Sequence, residues 1–344
     1  MKITRVGLDL AKQVIQLHAV DAHERVVKRV ALKRDALLGF FQNLPPCMVG
    51  MEACAGAHDW ARRLQAMGHA VKLLPPHRVK PYVHGQKNDR NDAAAICEAM
   101  TRPTMSLVPI KSVSQQDGQA LVRIRSERVA SRTALINQLR GLLAEYGVVI
   151  AQGAANVRRA IPAVLEDAQN GLSGVFRRLL ADLYDDLVAL DIRIATLDQA
   201  MQQSVQDNEA LRRLCAMPGI GPVTAVALAA SVGNARQFKS GRQMAAFFGL
   251  TPRQHSSGGK TRLLGIHKRG DAYLRGLLVH GARSVQRTAA GKDDARSRWL
   301  NALAQRRHRN IATVAQANKT VRIAWALLTR GDTYRTTAVA PMTA

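Results

Sequence analysis

The stretch Ile3-Thr4-Arg5-Val6-Gly7-Leu8-Asp9-Leu10-Ala11-Lys12-Gln13-Val14-Ile15-Gln16-Leu17-His18-Ala19-Val20 decides how the first third of this chain folds. Two apolar runs, Ile3–Leu10 and Val14–Val20, stand either side of a polar turn at Lys12–Gln13. Runs of this length, rich in valine, leucine and isoleucine, read as strands, and so short a turn makes them antiparallel. A third run, Val26–Leu32, follows the turn at Asp21–Glu24 and completes a meander. Working outward, a helix (Asp35–Asn43) precedes a strand (Cys47–Met51), and a second helix (His58–Met67) precedes a strand (Ala70–Leu74). Helical segments near Pro76–His84 and Asp89–Met100 close the region.

The resulting order, β-β-β-α-β-α-β-α, is the pattern of an α/β, RNase H-like fold, a meander joined to parallel strands by helical crossovers. It also fixes where four acids fall. Asp9 interrupts an apolar run that should be buried, so its carboxylate needs a partner or a metal. Glu52 comes immediately after Cys47–Met51, at the strand end where open α/β sheets place ligands. Asp89 and Asp92, within Lys87–Asn88–Asp89–Arg90–Asn91–Asp92, are three apart at the head of a helix and share a face. Singly, each suits a salt bridge or a first helical turn. Together, four converging carboxylates repel one another unless cations relieve them, and two magnesium ions are the natural choice beside a phosphate.

Charge names the partner class. The 344 residues carry 50 Lys+Arg against 25 Asp+Glu, a formal net charge of +25. Residues 1–109 hold 16 basic against 9 acidic residues, 110–210 hold 11 against 12, and 211–344 hold 23 against 4. So lopsided a final third points to nucleic acid. The longest apolar stretch, Val223–Val232, is too short for a membrane span. Cys47, Cys54, Cys97 and Cys215 show no zinc spacing and read as reduced thiols; with no signal-peptide pattern after Met1–Lys2, a cytoplasmic protein is expected.

Four regions are expected. A catalytic domain over 1–109 is followed by a helical coiled-coil region for dimerisation over 110–210. A mostly α-helical C-terminal domain over 211–332 and a flexible tail over 333–344 complete the chain. In the second region Ser114–Tyr146 is helical, with Leu135, Leu139, Leu142 and Tyr146 on one side, and Ala151–Leu172 reads as short helices and loops. Phe176, Leu180, Leu183, Leu187, Leu190, Ile194, Leu197 and Met201 then alternate at spacings of four and three, a coiled-coil seam. A hairpin folded on itself or an intermolecular coiled coil would each satisfy it; the near-neutral charge favours self-association.

In the third region Met217-Pro218-Gly219-Ile220-Gly221-Pro222 joins two helical patterns as a helix–hairpin–helix, where Gly219 and Gly221 let backbone N–H groups approach a phosphate. Gly249-Leu250-Thr251-Pro252-Arg253-Gln254-His255-Ser256-Ser257-Gly258 then leads into Gly259-Lys260-Thr261-Arg262. By itself this is a flexible basic linker. As chemistry it offers a serine, Ser257, with Arg253, Lys260 and Arg262 to hold a phosphodiester; His255 or a metal-bound hydroxide could take the serine's proton. Lys268 and Arg269 precede a helix through Ala272–Arg287 and add to the nucleic-acid-binding set, and further helices run over Asp294–Arg307 and Ile311–Leu328.

With these motifs in view (V-G-L-D-L-A-K, M-E-A-C-A-G, K-N-D-R-N-D, M-P-G-I-G-P and G-L-T-P-R-Q-H-S-S-G, in that order), the chain resembles the DEDD transposases of the insertion-sequence 110 family, and closely the 1111 subgroup. The resemblance runs from about Arg5 to Leu328. It implies a domain like the RuvC-type Holliday-junction resolvases with Asp9, Glu52, Asp89 and Asp92 on magnesium, a coiled-coil middle, and a C-terminal transposase domain whose nucleophile is Ser257. It further implies a bacterial enzyme, nucleoid-associated when acting, that works as a tetramer, a dimer of dimers. Its partner would be a structured non-coding bridge RNA that pairs with donor and target DNA. Two other readings are a metal-dependent junction or DNA endonuclease without a covalent serine intermediate, and an inactive copy kept as a nucleic-acid-binding scaffold.

Overall fold

Alternation in the first 33 residues becomes three strands, β1 (Arg5–Leu10), β2 (Val14–Val20) and β3 (Val26–Lys33). The structure, a computed structural model, describes residues 2–86 and 88–335. Lys87 and the expected tail from residue 336 onward lie outside the described residues. After the meander come α1 (Ala36–Gln42), β4 (Met48–Glu52), α2 (Ala57–Ala66), β5 (Ala70–Leu74), the single turn α3 (Pro76–Val79) and α4 (Asp89–Ala99). The five strands form one mixed sheet in the order β3-β2-β1-β4-β5. β1 runs antiparallel to β2 and parallel to β4, and β4 runs parallel to β5.

The period of two decides what each face buries. Val6, Leu8, Ile15, Leu17, Val49 and Met51 point to one side, where Leu37 and Phe41 of α1 and Trp60 and Leu64 of α2 complete the core. Val20 and Leu74 pack on the other side with Ile96 and Met100 from α4 and its end. The sheet therefore lies between two helical layers. Element edges differ from expectation by one or two residues, counting the 3-10 turn Lys80–Tyr82 that continues α3. The one that matters is Glu52, which is the last residue of β4, in register with Leu74, and not the first residue beyond the strand.

The chain divides into two compact units, residues 1–114 and 115–344. In the second, α5 (Val113–Ala144) and α7 (Gly174–Asp207) are long helices with α6 (Ala154–Glu166) between them. Arg125 bonds Asp198, and Arg132 bonds Asp191 at 3.1 Å, so the residue numbers rise on one helix as they fall on the other. The two helices are antiparallel. Five positions of the α7 seam, Phe176, Leu180, Leu187, Ile194 and Met201, are buried. Leu135, Ile136, Leu139 and Leu143 of α5 and Val157 and Ile161 of α6 cover its first half. Leu143 replaces the expected Leu142, which stays on the surface. Of the two arrangements the seam allowed, the chain holds a hairpin folded on itself. Coverage of the seam within one chain leaves the self-association expectation to rest on other faces.

The seam's last residue, Met201, joins a different core. There Val122 of α5 meets α8 (Glu209–Cys215), α9 (Pro222–Val232), α10 (Gly241–Phe247), α11 (Ala272–Arg287) and α13 (Arg309–Arg330) through Leu214, Leu228, Met244, Leu278 and Val321. This core spans the boundary expected at 210/211. α12 (Ala295–Arg306) packs on the flank through Leu300. The expected linker is an ordered two-stranded hairpin, β6 (Pro252–Gln254) and β7 (Leu263–Ile266), set into the helical unit.

Candidate active site

Three of the four expected acids come together. Ligand atoms of Asp9, Asp89 and Asp92 all lie within 4.8 Å of one another. Asp9 stands near the end of β1, opposite Gln16. The aspartate pair is set by the start of α4. Asn88 is its N-cap, and the Asn88 carboxamide oxygen accepts from the Asn91 N–H at 2.9 Å. Asn91 Nδ2 donates back to the Gln86 carbonyl at 2.7 Å. These bonds put Asp89 and Asp92 in the first turn, on one face, where they also satisfy the positive end of the helix dipole.

The approach of α4 to β1 needs two glycines that the motif reading passed over. Gly7 and Gly50 are register partners on β1 and β4. A Cβ on Gly7 would lie 2.2 Å from the Ala93 carbonyl oxygen and 2.8 Å from the Cys97 Cβ. One on Gly50 would meet Met100 Sδ at 3.0 Å. The bare strip lets α4 lie on the strands closely enough to bring its first turn to Asp9. A glycine inside a strand is a signal of close backbone approach, so both were findable.

Glu52 is outside the three-acid group. Leu8 pairs with Met51, so the next register positions are Asp9 and Glu52, side by side at the ends of parallel strands. Cys54 reports on both: its thiol is raised above its ordinary range first by partial burial, then by the Glu52 and Asp9 charges. Glu52 thus borders the cluster.

In the second unit, Ser257 sits at the tip of the β6–β7 hairpin. Ser257 O accepts from Lys260 N at 3.0 Å across a two-residue turn, with φ of +54° at Gly258 and +72° at Gly259. Two positive φ values in succession are the type I′ geometry that matches strand twist. The neighbouring serine is committed to the hairpin: Ser256 Oγ accepts from Arg262 N at 3.1 Å and from Gln254 Nε2 at 2.9 Å. Among the described residues, nothing bonds the Ser257 hydroxyl. Arg253, His255, Lys260 and Arg262 are exposed around it. At the hairpin's base Lys268 holds a positive φ of 57°, unusual for a residue with a side chain, and Lys268 and Arg269 are exposed. At the helix–hairpin–helix, Gly221 caps α9 in open space. Gly219 has a packing task as well, since a Cβ there would lie 2.8 Å from the Gly281 carbonyl oxygen of α11.

Known proteins match the chain along nearly its whole length. A DEDD transposase model of IS110 type matches residues 6–148, and a model of the transposase IS116/IS110/IS902 family matches residues 211–298. A probable family 20 transposase of Pseudomonas aeruginosa is 53% identical over 336 residues, 97% of this chain and 99% of the relative. The transposase for insertion sequence element IS1111A of Coxiella burnetii is 46% identical, covering 96% of this chain and 91% of the relative. The transposase for insertion sequence element IS1328 of Yersinia enterocolitica is 38% identical, covering 96% and 98%. With its acids on one sheet end and matches of this extent, the chain belongs to the IS110 family of insertion-sequence transposases.

Proposed function

We propose that this transposase cuts and exchanges DNA strands by phosphoryl transfer at a carboxylate-held metal centre, with Ser257 as nucleophile and a non-coding bridge RNA as guide. The observation that carries the reading is the convergence of Asp9, Asp89 and Asp92 within 4.8 Å. Oxygen donors alone, with Glu52 on the adjoining strand end, fit hard divalent cations such as magnesium, and four carboxylates suit a pair of them. Bound there, such ions would neutralise a phosphodiester and polarise it toward attack. The strand order β3-β2-β1-β4-β5 supports an RNase H-like, resolvase-type reading of the first unit.

Ser257 is the better nucleophile of the two serines because the Ser256 hydroxyl is engaged in the hairpin. In the proposed step Ser257 Oγ bonds phosphorus as the bond from phosphorus to the leaving sugar oxygen breaks. The serine proton is lost, and the departing sugar oxygen takes one up. Arg253, Lys260 and Arg262 hold the phosphodiester and its developing charge. His255, on the same hairpin, is within the set that could accept the proton. Gly221 at the α9 N-terminus, the Gly219 turn, Lys268 and Arg269 bind nucleic acid along the same unit. The basic balance of 23 against 4 over 211–344 supports large polyanionic partners, donor and target DNA and the guide among them. We further propose a tetramer built as a dimer of dimers, with the α5–α7 hairpin as a coiled coil within each chain and association through other faces, acting in the bacterial cytoplasm at the nucleoid. Among the described residues, no helix is long and apolar enough to cross a membrane.

Covalent trapping tests this reading. Protein, Mg²⁺, co-expressed RNA and labelled DNA are run on a denaturing gel beside Ser257→Ala and Asp89→Ala. A protein–DNA band lost in both variants and absent without RNA is the expected result. Cutting with no such band, unaffected by Ser257→Ala, would instead identify a metal-dependent endonuclease; a band that survives RNA removal would keep the serine and discard the guide.

A further inference from the structure

A cleft of about 490 Å³ opens on the sheet face that carries α4, lined by Arg5, His18, Arg29, Tyr82, Asn91 and Arg102 among others. The recognised motifs leave most of it unexplained. One end, Asn91, lies between the two α4 aspartates. The other, Arg102, is eleven residues on, so the cleft runs about 16 Å along the helix and its exit at 1.5 Å per residue. Cations are placed along it from three elements: Arg5 on β1, Arg29 on β3, and Arg102 beyond α4. Tyr82 adds an aromatic face, already stacked by the Arg102 guanidinium at 5.7 Å from the ring centroid.

Two observations say that something binds here. His18 lines the cleft with only 7% of its surface exposed, and its Nδ1 is bonded to nothing among the described residues. An unpartnered polar atom at that depth is costly unless a ligand or water completes it. The arginines, too, hold partners that a phosphate can replace. Arg5, itself 18% exposed, pairs with Glu24 at 3.0 Å, and Arg102 with Glu98; both glutamates line the cleft, Glu24 being 74% and Glu98 39% exposed. A pair whose carboxylate stands in solvent is weak and exchanges for a phosphate, which accepts the same guanidinium fork.

We propose that this cleft seats a single nucleic-acid strand beside the carboxylate cluster, with a base on Tyr82 and backbone phosphates on Arg29, Arg5 and Arg102. Cations along a groove with one aromatic platform are what an unpaired strand needs: charge follows the backbone, and any base stacks. The length admits two or three nucleotides. The inference rests on the proposed strand-cutting role of the acids, since it gives the strand a path away from them.

The experiment is photocrosslinking of the full-length protein to short single strands carrying 4-thiothymidine or 4-thiouridine, in DNA and RNA arms, followed by peptide mapping. An adduct on the peptide holding Tyr82 is expected. Its yield should fall roughly fivefold or more in Tyr82→Leu, the lower edge of what one stacked base contributes. A similar loss is expected in Arg29→Ala/Arg102→Ala, with a melting temperature near wild type confirming that the variants fold. The arm that yields the adduct identifies the strand as DNA or RNA. Adducts confined to the C-terminal unit in both arms would overturn the proposal. Assaying the same protein preparations for cleavage with Mg²⁺, co-expressed RNA and labelled donor and target DNA separates the two readings. Cleavage without a Tyr82 adduct discards the cleft alone, and an adduct without any cleavage discards the proposed reaction alone.

Discussion

A methyl group on Gly7 has nowhere to go. With the Ala93 carbonyl oxygen 2.2 Å from the position of its Cβ, Gly7→Ala must push α4 off the sheet, and Asp89 and Asp92 move with it. Overpacking of this kind costs about 1–3 kcal/mol. We expect a lower melting temperature and a loss of strand cleavage that added Mg²⁺ does not restore. Gly39 is the control, because its Cβ would meet nothing within 4 Å on the exposed face of α1. Gly39→Ala should stabilise by about 0.5–1 kcal/mol, and a melt of the two variants checks both signs. Two histidines of this unit add a pH dependence. His18 is held below its ordinary value of 6.5 first by burial and then by Arg29. His58 is lowered first by burial and then by Lys111 and Arg62, and its Nδ1 accepts from Lys111 N at 3.2 Å, which a proton there would prevent. The unfolded chain therefore binds more protons, so stability rises with pH in this range. It is complete above the ordinary histidine value and is lost as the pH falls below that value through the depressed folded pKa values. Melting temperatures at about pH 7.5 and 5.5 should differ accordingly, and His58→Gln should shrink the difference.

At the scale of elements, the hairpin that carries Ser257 shows what the motifs leave unsaid. Its strands are three and four residues long and exposed, with Leu263 62% exposed, so no alternation of buried and polar residues marks them. What marks the hairpin is the pair Gly258–Gly259 between Ser257 and Lys260, a turn signal that reads equally well as a flexible linker. The turn has a chemical consequence, since a type I′ tip holds Ser257 clear of the strand pairing. Gly258→Asn keeps the positive φ and should retain the covalent protein–DNA product. Gly258→Val opposes it at a cost of about 1–2 kcal/mol and should cut the yield roughly tenfold at an unchanged melting temperature, because the hairpin buries almost nothing. The meander and its crossovers were legible for the opposite reason, as β1, β2 and β4 bury one face or both and the edge strand β3 half-buries Val30 and Leu32. α7 shows the limit: period gives the seam, and the ion pair from Asp191 to Arg132 shows which helix fills it. The acids were legible as a set because three lie on element ends that the β-α order places together. The glycines that make their convergence possible were visible as letters but not as contacts.

For the whole molecule, charge divides the labour. Residues 110–210 are nearly neutral and 211–344 hold 23 basic against 4 acidic residues, while the carboxylate cluster lies in the first 114. Affinity for nucleic acid and chemistry on it should therefore respond to different variables. Binding to duplex DNA should be dominated by release of counterions, with log K falling against log salt at about −0.9 per phosphate contacted. An excess this size should engage at least six phosphates, giving a slope steeper than about −5 and a loss of about a thousandfold or more between 50 and 200 mM salt. Filter binding across that range in EDTA measures it with no metal at the carboxylates. Neutralising Arg253, Lys260 and Arg262 together should remove up to three contacts and flatten the slope by up to roughly 3. A slope near zero, or binding that requires Mg²⁺, would mean that the carboxylate centre and not the basic unit recruits the DNA. The expected steep, metal-independent slope would mean that the protein can load nucleic acid before the proposed metal centre is assembled, with cutting governed separately by the aspartates proposed to hold it.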